Sequence, residues 1–213
     1  MKPSVGALLL LAALACQRAP EPCPALVSDG QYRMGTVLEI QLCAADRATG
    51  ERLLASAFES VAALEHVFST FDPVSELSRL NRSAGSGPQT VSIPLLRLSI
   101  DSIMLSDQTQ RSFDPTVGPL VALWREAGRA GHLPDAAALA GARAHIGLEV
   151  VQADLPARTV ELRVAGASLD FGGIAKGWTL DRLVEDLQAA GITRALLSFG
   201  DSSVTALGAP PDA

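Results

Sequence analysis

The segment with the clearest chemical potential is a glycine-rich turn with the sequence Ser-Leu-Asp-Phe-Gly-Gly-Ile-Ala-Lys-Gly at residues 168–177. Backbone N–H groups in such a turn can approach an anion closely, because glycine has no side chain in the way. Lys176 adds a positive charge suited to a phosphate, and Asp170 adds a carboxylate at the start of the turn. The spacing matches neither the Walker loop nor the dinucleotide fingerprint. A tight strand-to-helix turn with an exposed lysine explains these residues about equally well.

A second segment, Ser-Phe-Asp-Pro-Thr-Val-Gly-Pro-Leu at residues 112–120, has a backbone restricted by its prolines and its glycine. Phe113 and Asp114 therefore stand at defined positions, directly after Ser112. A rigid aromatic ring beside a carboxylate suits a planar heterocycle. Taken alone, however, the segment is better interpreted as a proline-fixed connection.

Two further segments indicate no function by themselves. Residues 68–73 (Phe-Ser-Thr-Phe-Asp-Pro) followed by residues 75–81 (Ser-Glu-Leu-Ser-Arg-Leu-Asn) predict a helix end and then a short helical turn capped by Ser75. Residues 34–36 (Met-Gly-Thr) lie at the start of the first predicted strand. A G-x-S-x-G motif is absent, and metal-ligand spacing is absent among the histidines His66, His132 and His145.

Hydrophobic periodicity predicts the elements that must position these segments. Predicted strands cover residues 32–43, 150–151, 159–164, 168–171, 195–199 and 202–207. Predicted helices cover residues 51–68, 91–110, 119–128, 135–145 and 179–190. This mixture predicts one domain of the α+β class.

Composition agrees with a single globular domain. The chain has 213 residues, of which 48% are hydrophobic and 19% are charged, and this length is enough to bury a sizeable core. The formal net charge is -6, which argues against nucleic acid as a partner because that function calls for a basic surface.

The first residues predict export and a lipid anchor. Lys2 precedes a short apolar stretch that cannot span a membrane and fits a signal peptide at residues 1–15. The stretch ends in Leu-Ala-Cys, which resembles a bacterial lipobox with Cys16 as the lipidated residue. A plain secretory signal cleaved nearby is the alternative.

The proline-rich residues that follow predict an extended tether at 16–29, with the domain covering 30–213. Cys23 lies in this tether, and Cys43 lies in a predicted strand. These cysteines can pair in an oxidising compartment, but two free thiols explain the sequence at least as well.

Together and in this order, the four segments resemble the FAD:protein FMN transferases, the ApbE-type family. That family has a Met-Gly-Thr at its first strand, a Ser-Thr-Phe/Tyr-Asp-Pro block with Ser-Glu-Leu-Ser-Arg-Leu-Asn, a Phe-Asp-Pro-Thr-Val-Gly-Pro-Leu block and an Asp-Leu-Gly-Gly-Ile-Ala-Lys-Gly block. Phe171 replaces the leucine of the last block here. The resemblance covers residues 30–208 and implies a mixed α/β domain of the ApbE, T-fold-like type.

The resemblance implies a magnesium-dependent reaction that cleaves the pyrophosphate of FAD, transfers FMN to a Thr or Ser hydroxyl of a target protein and releases AMP. The implied partner is a flavin-accepting subunit of a membrane redox complex, reached from the periplasmic side of the cell membrane. The positions that match the family's FAD contacts are Met34, Phe71, Ser112, Phe113, Asp114, Asp170 and Lys176. The backbone carbonyl of Gly173 matches a metal ligand.

Two departures from the family pattern bear on activity. The chain ends at Ala213, whereas the family continues with a His-containing motif and an Asp/Thr-containing motif that completes the metal site. Asp201 also stands where the family has a second glycine, which puts a carboxylate near the expected diphosphate. We therefore expect a domain that is incomplete at its C-terminus and inactive by itself. The alternatives are a non-catalytic flavin-binding lipoprotein, an FAD pyrophosphatase and a degenerate relic.

Overall fold

The computed structural model describes residues 22–200 and 202–208. The strands are β1 (Ala25–Arg33), β2 (Thr36–Ala44), β3 (Gln89–Thr90), β4 (Val151–Asp154), β5 (Thr159–Leu162), β6 (Ala195–Phe199) and β7 (Ser203–Leu207). The helices are α1 (Arg47–Phe68), α2 (Glu76–Arg82), α3 (Ile93–Gln108), α4 (Gly118–Ala130), α5 (Ala136–Arg143) and α6 (Ala175–Ala189), with a short 3-10 helix at Leu148–Val150.

The strands form two antiparallel sheets. The larger sheet has the order β1-β2-β6-β7, and the smaller sheet has the order β3-β5-β4. Helices α1 and α6 contact the larger sheet and each other, while α2 and α3 contact the smaller sheet. This mixed architecture confirms the predicted α+β class.

The larger sheet and its helices enclose the first hydrophobic core. Leu38, Ile40 and Leu42 of β2 are fully buried in it, because alternate side chains of a strand point to the same face. Phe58 and Val61 of α1 pack in the same cluster at helical spacing. The amphipathic helix predicted over residues 51–68 is therefore confirmed, and it starts one turn earlier, at the Asp46 cap.

A second core lies under the small sheet and ends next to the segments singled out above. The Phe68 ring contacts Phe171 and Trp178 edge-on, with centroid separations of 6.2 and 5.6 Å. The Trp178 indole N–H donates to Asp101 at 2.8 Å. Met34 packs against both cores, so it stands at their junction.

The first predicted strand is wrong at its start. Met34 (φ 48°) and Gly35 (φ 82°) form a two-residue turn between β1 and β2, since positive φ at both positions suits a tight hairpin. β1 begins at Ala25, so its first residues lie in the sheet and not in the tether predicted over 16–29. The polar Ser-Asp-Gly centre of β1 concealed the alternation typical of a strand.

The strand predicted over residues 168–171 is also wrong. Leu169 is paired with the Asn81 side chain, which accepts its N–H and donates to its carbonyl, both at 2.9 Å. The next N–H, of Asp170, donates to the Pro115 carbonyl at 2.9 Å. The Asn81 side chain and the Pro115 carbonyl thus provide the hydrogen-bond partners that a neighbouring strand would give to this backbone.

Cys23 and Cys43 form a disulfide, which resolves the alternative that the sequence left open. Their Cα atoms are 5.6 Å apart, and the bond ties the segment before β1 to the end of β2. The predicted signal peptide, the lipid-anchor residue Cys16 and Asp201 lie outside the described residues. In the part of the chain that is described, no helix combines the length and the apolar character that crossing a membrane requires.

Candidate functional site

A cleft opens where the β1–β2 turn, the segment after α1 and the glycine-rich turn meet. Its lining residues, which define the main cleft, are Met34, Gly35, Glu65, Phe68, Ser69, Thr70, Phe71, Arg125, Asp170, Phe171, Gly172, Ala175 and Lys176. The cleft has a volume of about 180 Å³. Sites for drug-sized ligands measure roughly 300–1,000 Å³, so the main cleft would enclose only part of a dinucleotide.

The loop after α1 presents Phe71 at the edge of the main cleft, where this residue is 76% exposed. The Ser69 hydroxyl accepts the N–H groups of Phe71 and Asp72 at 3.1 and 3.0 Å. The Asp72 carboxylate lies 3.0 Å from Nδ1 of His66 on α1. The predicted cap is confirmed, since the Ser75 hydroxyl accepts the N–H of the third residue after it. The aromatic ring therefore stands on a loop whose backbone is well held.

Asp170 is fixed from two sides. One carboxylate oxygen accepts the Gly172 N–H at 2.8 Å, and the other lies 3.3 Å from the Arg125 guanidinium. The Asp170 side chain is only 11% exposed. A Cβ atom at Gly172 would lie 2.9 Å from the Asp170 carboxylate, so the close turn favours glycine at this position.

Positive charge and the N-terminus of α6 meet at the same cleft. The helix begins at Ala175 without a side-chain cap, and the Ala175 N–H donates to the Phe171 carbonyl at 2.8 Å. Lys176, in the first turn, lines the main cleft and forms no salt bridge with any residue in the described ranges. A lysine beside a helix N-terminus is suited to a phosphate group.

Met34 is held at the other end of the main cleft. Its N–H donates to the Glu65 carboxylate at 2.7 Å, and the Thr179 hydroxyl donates to its sulfur at 3.8 Å. Glu65 was not predicted as a site residue. Its position on the flank of α1 looks like that of an ordinary solvated side chain in the sequence.

The second predicted segment lies beside the main cleft but does not line it. Ser112 is exposed, and the Phe113 ring lies against Gly173, where an added Cβ would be 3.4 Å from the ring. One carboxylate oxygen of Asp114 accepts both the N–H and the hydroxyl of Thr116, at 2.8 and 2.6 Å. Asp114 thus shapes its own loop.

The structure therefore brings four of the seven predicted flavin contacts into the main cleft and places the other three next to it. Those in the cleft are Met34, Phe71, Asp170 and Lys176; those beside it are Ser112, Phe113 and Asp114. Gly118 allows the two segments to approach, because a Cβ there would lie 2.6 Å from the Ser168 carbonyl oxygen.

The described residues do not by themselves form a magnesium site. Residues 22–200 and 202–208 contain no group of three or more His, Cys, Asp or Glu side chains that could hold a metal ion. Gly173 offers one carbonyl, whereas magnesium requires octahedral oxygen coordination that usually includes a carboxylate. Both oxygens of the nearby Asp170 already have partners.

Arg125 is the second site residue that the sequence did not reveal. It contacts both Phe71 and Asp170 from α4, and it also lines a neighbouring depression that these two residues share. The motif blocks do not include it, and a single arginine on an amphipathic helix gives no signal of its own.

The same arrangement of elements is found in known proteins. The family model described as the ApbE family matches residues 34–213. The chain belongs to the ApbE family. An FAD:protein FMN transferase from Klebsiella pneumoniae is 30% identical over 209 residues, which is 94% of this chain and 59% of that protein. One from Vibrio cholerae is 30% identical over 202 residues, which is 92% of this chain and 58% of the relative.

Solved ApbE structures agree with the fold. The flavin transferase ApbE from Vibrio cholerae superposes with a TM-score of 0.77 at 28% identity, covering 88% of this chain and 61% of that one. The Pseudomonas stutzeri flavinyl transferase gives a TM-score of 0.78 at 23% identity and supports the fold alone. The chain thus spans about three-fifths of the length of the relatives that it matches.

Proposed function

We propose that this chain forms the flavin-binding part of an FAD:protein FMN transferase. The proposal is carried by two residues that line the same cleft. Phe71 presents an exposed aromatic ring, and Lys176 has no carboxylate partner among the described residues. The activity in the names of its ApbE relatives supports the same assignment.

The chemistry of the cleft suits the parts of FAD. The face of the Phe71 ring is suited to stacking against a flat heterocycle, and Met34 adds a polarisable apolar surface. Lys176 and the N-terminus of α6 are suited to the negative charge of the diphosphate. The main cleft is too small for a whole dinucleotide, so the remaining part of FAD would lie outside it, along the Phe113 segment.

The proposed reaction is a phosphoryl-type transfer. The hydroxyl oxygen of a Thr or Ser on the target forms a bond to the phosphorus on the FMN side of the pyrophosphate. The bond from that phosphorus to the bridging oxygen breaks, AMP leaves, and the hydroxyl proton passes to a base. Divalent cations neutralise charge in such reactions, and magnesium dependence is part of this proposal. Among the described residues, the backbone carbonyl of Gly173 is the ligand candidate, and it would supply one oxygen to the cation.

The proposal extends to location and partner. Export into an oxidising compartment is supported by the Cys23–Cys43 disulfide, since such bonds are rare in the cytosol. We propose lipid anchoring at Cys16, a periplasmic location and a flavin-accepting subunit of a membrane redox complex as the target. Support for the anchor comes from the lipobox-like sequence, and support for the target comes from the resemblance to the ApbE-type family.

Flavin binding can be tested through the unusual lysine content of the chain, whose two lysines are Lys2 and Lys176. The unprocessed chain, which keeps Lys2, is labelled with pyridoxal phosphate and borohydride, with and without FAD, and the labelled lysine is located by mass spectrometry. FAD should protect Lys176 and leave Lys2 unchanged. Equal labelling of Lys176 at saturating FAD, together with no quenching of flavin fluorescence, would show that the proposed function is wrong.

Transfer is tested separately, by incubating the full chain with FAD, magnesium and candidate acceptor proteins that carry an exposed Thr or Ser. Covalent flavin fluorescence with stoichiometric AMP supports the transferase. FMN and AMP without covalent flavin indicate an FAD pyrophosphatase. Binding without AMP is expected if this chain supplies the flavin-binding part alone, and it is also the result for a non-catalytic flavin-binding protein.

A further inference from the structure

Phe71 needs a partner that fixes its ring. The hydrogen bonds to the Ser69 hydroxyl hold the backbone of the loop, but they do not set the direction of the Phe71 side chain. Phe71 is 76% exposed, so packing against the core does not hold its ring either. If the ring were loosely held, ordering it on binding would cost entropy and weaken the binding of a ligand that stacks on it.

Arg125 supplies the missing contact. Its guanidinium carbon lies 4.4 Å from the centroid of the Phe71 ring, within the range of a cation–π interaction. One terminal nitrogen donates to the Thr70 hydroxyl at 3.2 Å, and the other donates to the Asp170 carboxylate at 3.3 Å. A single planar group thus touches the aromatic ring, its neighbour in the loop and the start of the glycine-rich turn.

These contacts depend on the shape of arginine. A guanidinium is flat, so it can stack on a ring while its edges donate in two directions. A lysine ammonium can pair with Asp170 but offers no flat surface to Phe71. The Arg125 side chain is 36% exposed, so its pairing with Asp170 at 11% exposure is only partly screened by water.

We propose that Arg125 is a positioning residue of the flavin site. It holds the Phe71 ring and the Asp170 carboxylate in one arrangement and covers one face of the ring, while the exposure of Phe71 leaves the other face open to a planar ligand. The identity of that ligand rests on the proposed function, whereas the positioning of the loop does not.

Ligand titrations test the first half of the proposal. The full chain and the variants R125A, R125K and R129A are titrated with FAD and with riboflavin, which lacks phosphate. Arg129 lies one turn further along α4, is exposed and pairs with Glu126, so R129A is the matched control. R125A should weaken both ligands about tenfold, R125K should recover little of this, and R129A should bind like the unmodified chain.

Other titration results would overturn the proposal. A loss confined to FAD would make Arg125 a direct phosphate ligand, and tighter binding by R125A would show that Arg125 occupies the face of the ring that the ligand needs. Unchanged binding of both ligands would show that it positions nothing. R125K keeps the charge, so it provides the comparison if R125A does not fold.

Hydrogen exchange of the ligand-free protein tests the second half without any flavin. Amides of residues 69–72 and 74 should exchange faster in R125A than in the unmodified chain and in R129A, because the contacts to Thr70 and Phe71 are lost. Equal exchange would overturn the proposal. If the unmodified chain binds no flavin, the proposed function is wrong, and the exchange data still decide whether Arg125 holds this loop.

Discussion

The backbone N–H of Asp170 donates to the carbonyl of Pro115 at 2.9 Å, so two segments more than fifty residues apart are directly joined. This bond places the glycine-rich turn against the proline-fixed segment, with the Phe113 ring over Gly173. The two segments that the sequence singled out are therefore neighbours.

Thr116 holds the proline-fixed segment in shape. It is fully buried, and its hydroxyl donates to Asp114 and accepts the Gly147 N–H at 2.8 Å. We expect T116V to lower the free energy of unfolding by about 1–3 kcal/mol, because it leaves the Gly147 N–H buried and unpaired. Urea unfolding measures the change. T116S keeps the hydroxyl and should cost much less, and an equal loss in both variants would contradict this account.

Asn81 acts as the partner that a neighbouring strand would otherwise provide. Both of its side-chain hydrogen bonds go to the backbone of Leu169, immediately before Asp170. N81A should destabilise the chain by about 1–3 kcal/mol and weaken FAD binding, because the Asp170 segment loses its support. N81D keeps the acceptor but places a charged oxygen against the Leu169 carbonyl oxygen, so it should destabilise the chain at least as much as N81A does. Thermal unfolding and flavin titration give the two values, and an N81A variant as stable as the unmodified chain would be inconsistent with this role.

Lys176 should contribute through charge. K176Q is expected to weaken FAD about tenfold and leave riboflavin unchanged, since only FAD carries the diphosphate. K176R retains the charge and should bind FAD more tightly than K176Q does. Fluorescence quenching measures all the affinities, and a parallel loss of riboflavin affinity would point to a structural role for Lys176 instead.

The disulfide should stabilise the hairpin of β1 and β2. Cys23 and Cys43 are separated by 20 residues in the sequence, and closing a loop of similar length contributes about 2–4 kcal/mol. The double variant C23S/C43S should therefore unfold at a lower urea concentration. Reducing agent should shift the unmodified chain to the same midpoint and leave the double variant unaffected. A reductant-insensitive midpoint in the unmodified chain would refute the contribution.

Asp46 caps α1 and should make the stability of the fold depend on pH in the acid range. The Thr49 N–H, and then its hydroxyl, donate to the carboxylate and hold the pKa of Asp46 below its ordinary value of 3.8. A lowered pKa in the folded state means that the ionised form stabilises the fold above this value, and that the effect disappears as pH falls through the lower pKa. Melting temperatures of the unmodified chain and D46N should therefore differ at neutral pH and converge in acid. E59Q, an exposed change on the same helix, should show no such convergence.

Several features could be predicted from the sequence because they depend on near neighbours. Apolar residues at helical spacing were sufficient to predict α1, and Ser75 is a cap because its hydroxyl reaches an N–H in the next turn. The four motif segments were recognisable in order, and they identified the family. Each of these signals lies within a short stretch of chain, where local geometry restricts what a residue can do.

Only the tertiary structure decided which side chains meet. Arg125 reaches Asp170 across 45 residues of sequence, and Met34 reaches Glu65 across 31. One carboxylate oxygen of Asp114 accepts two hydrogen bonds from Thr116, and the two cysteines are paired because β1 and β2 run antiparallel. Such contacts follow from the packing of separate elements, and no local periodicity encodes which face of α4 will lie over which loop.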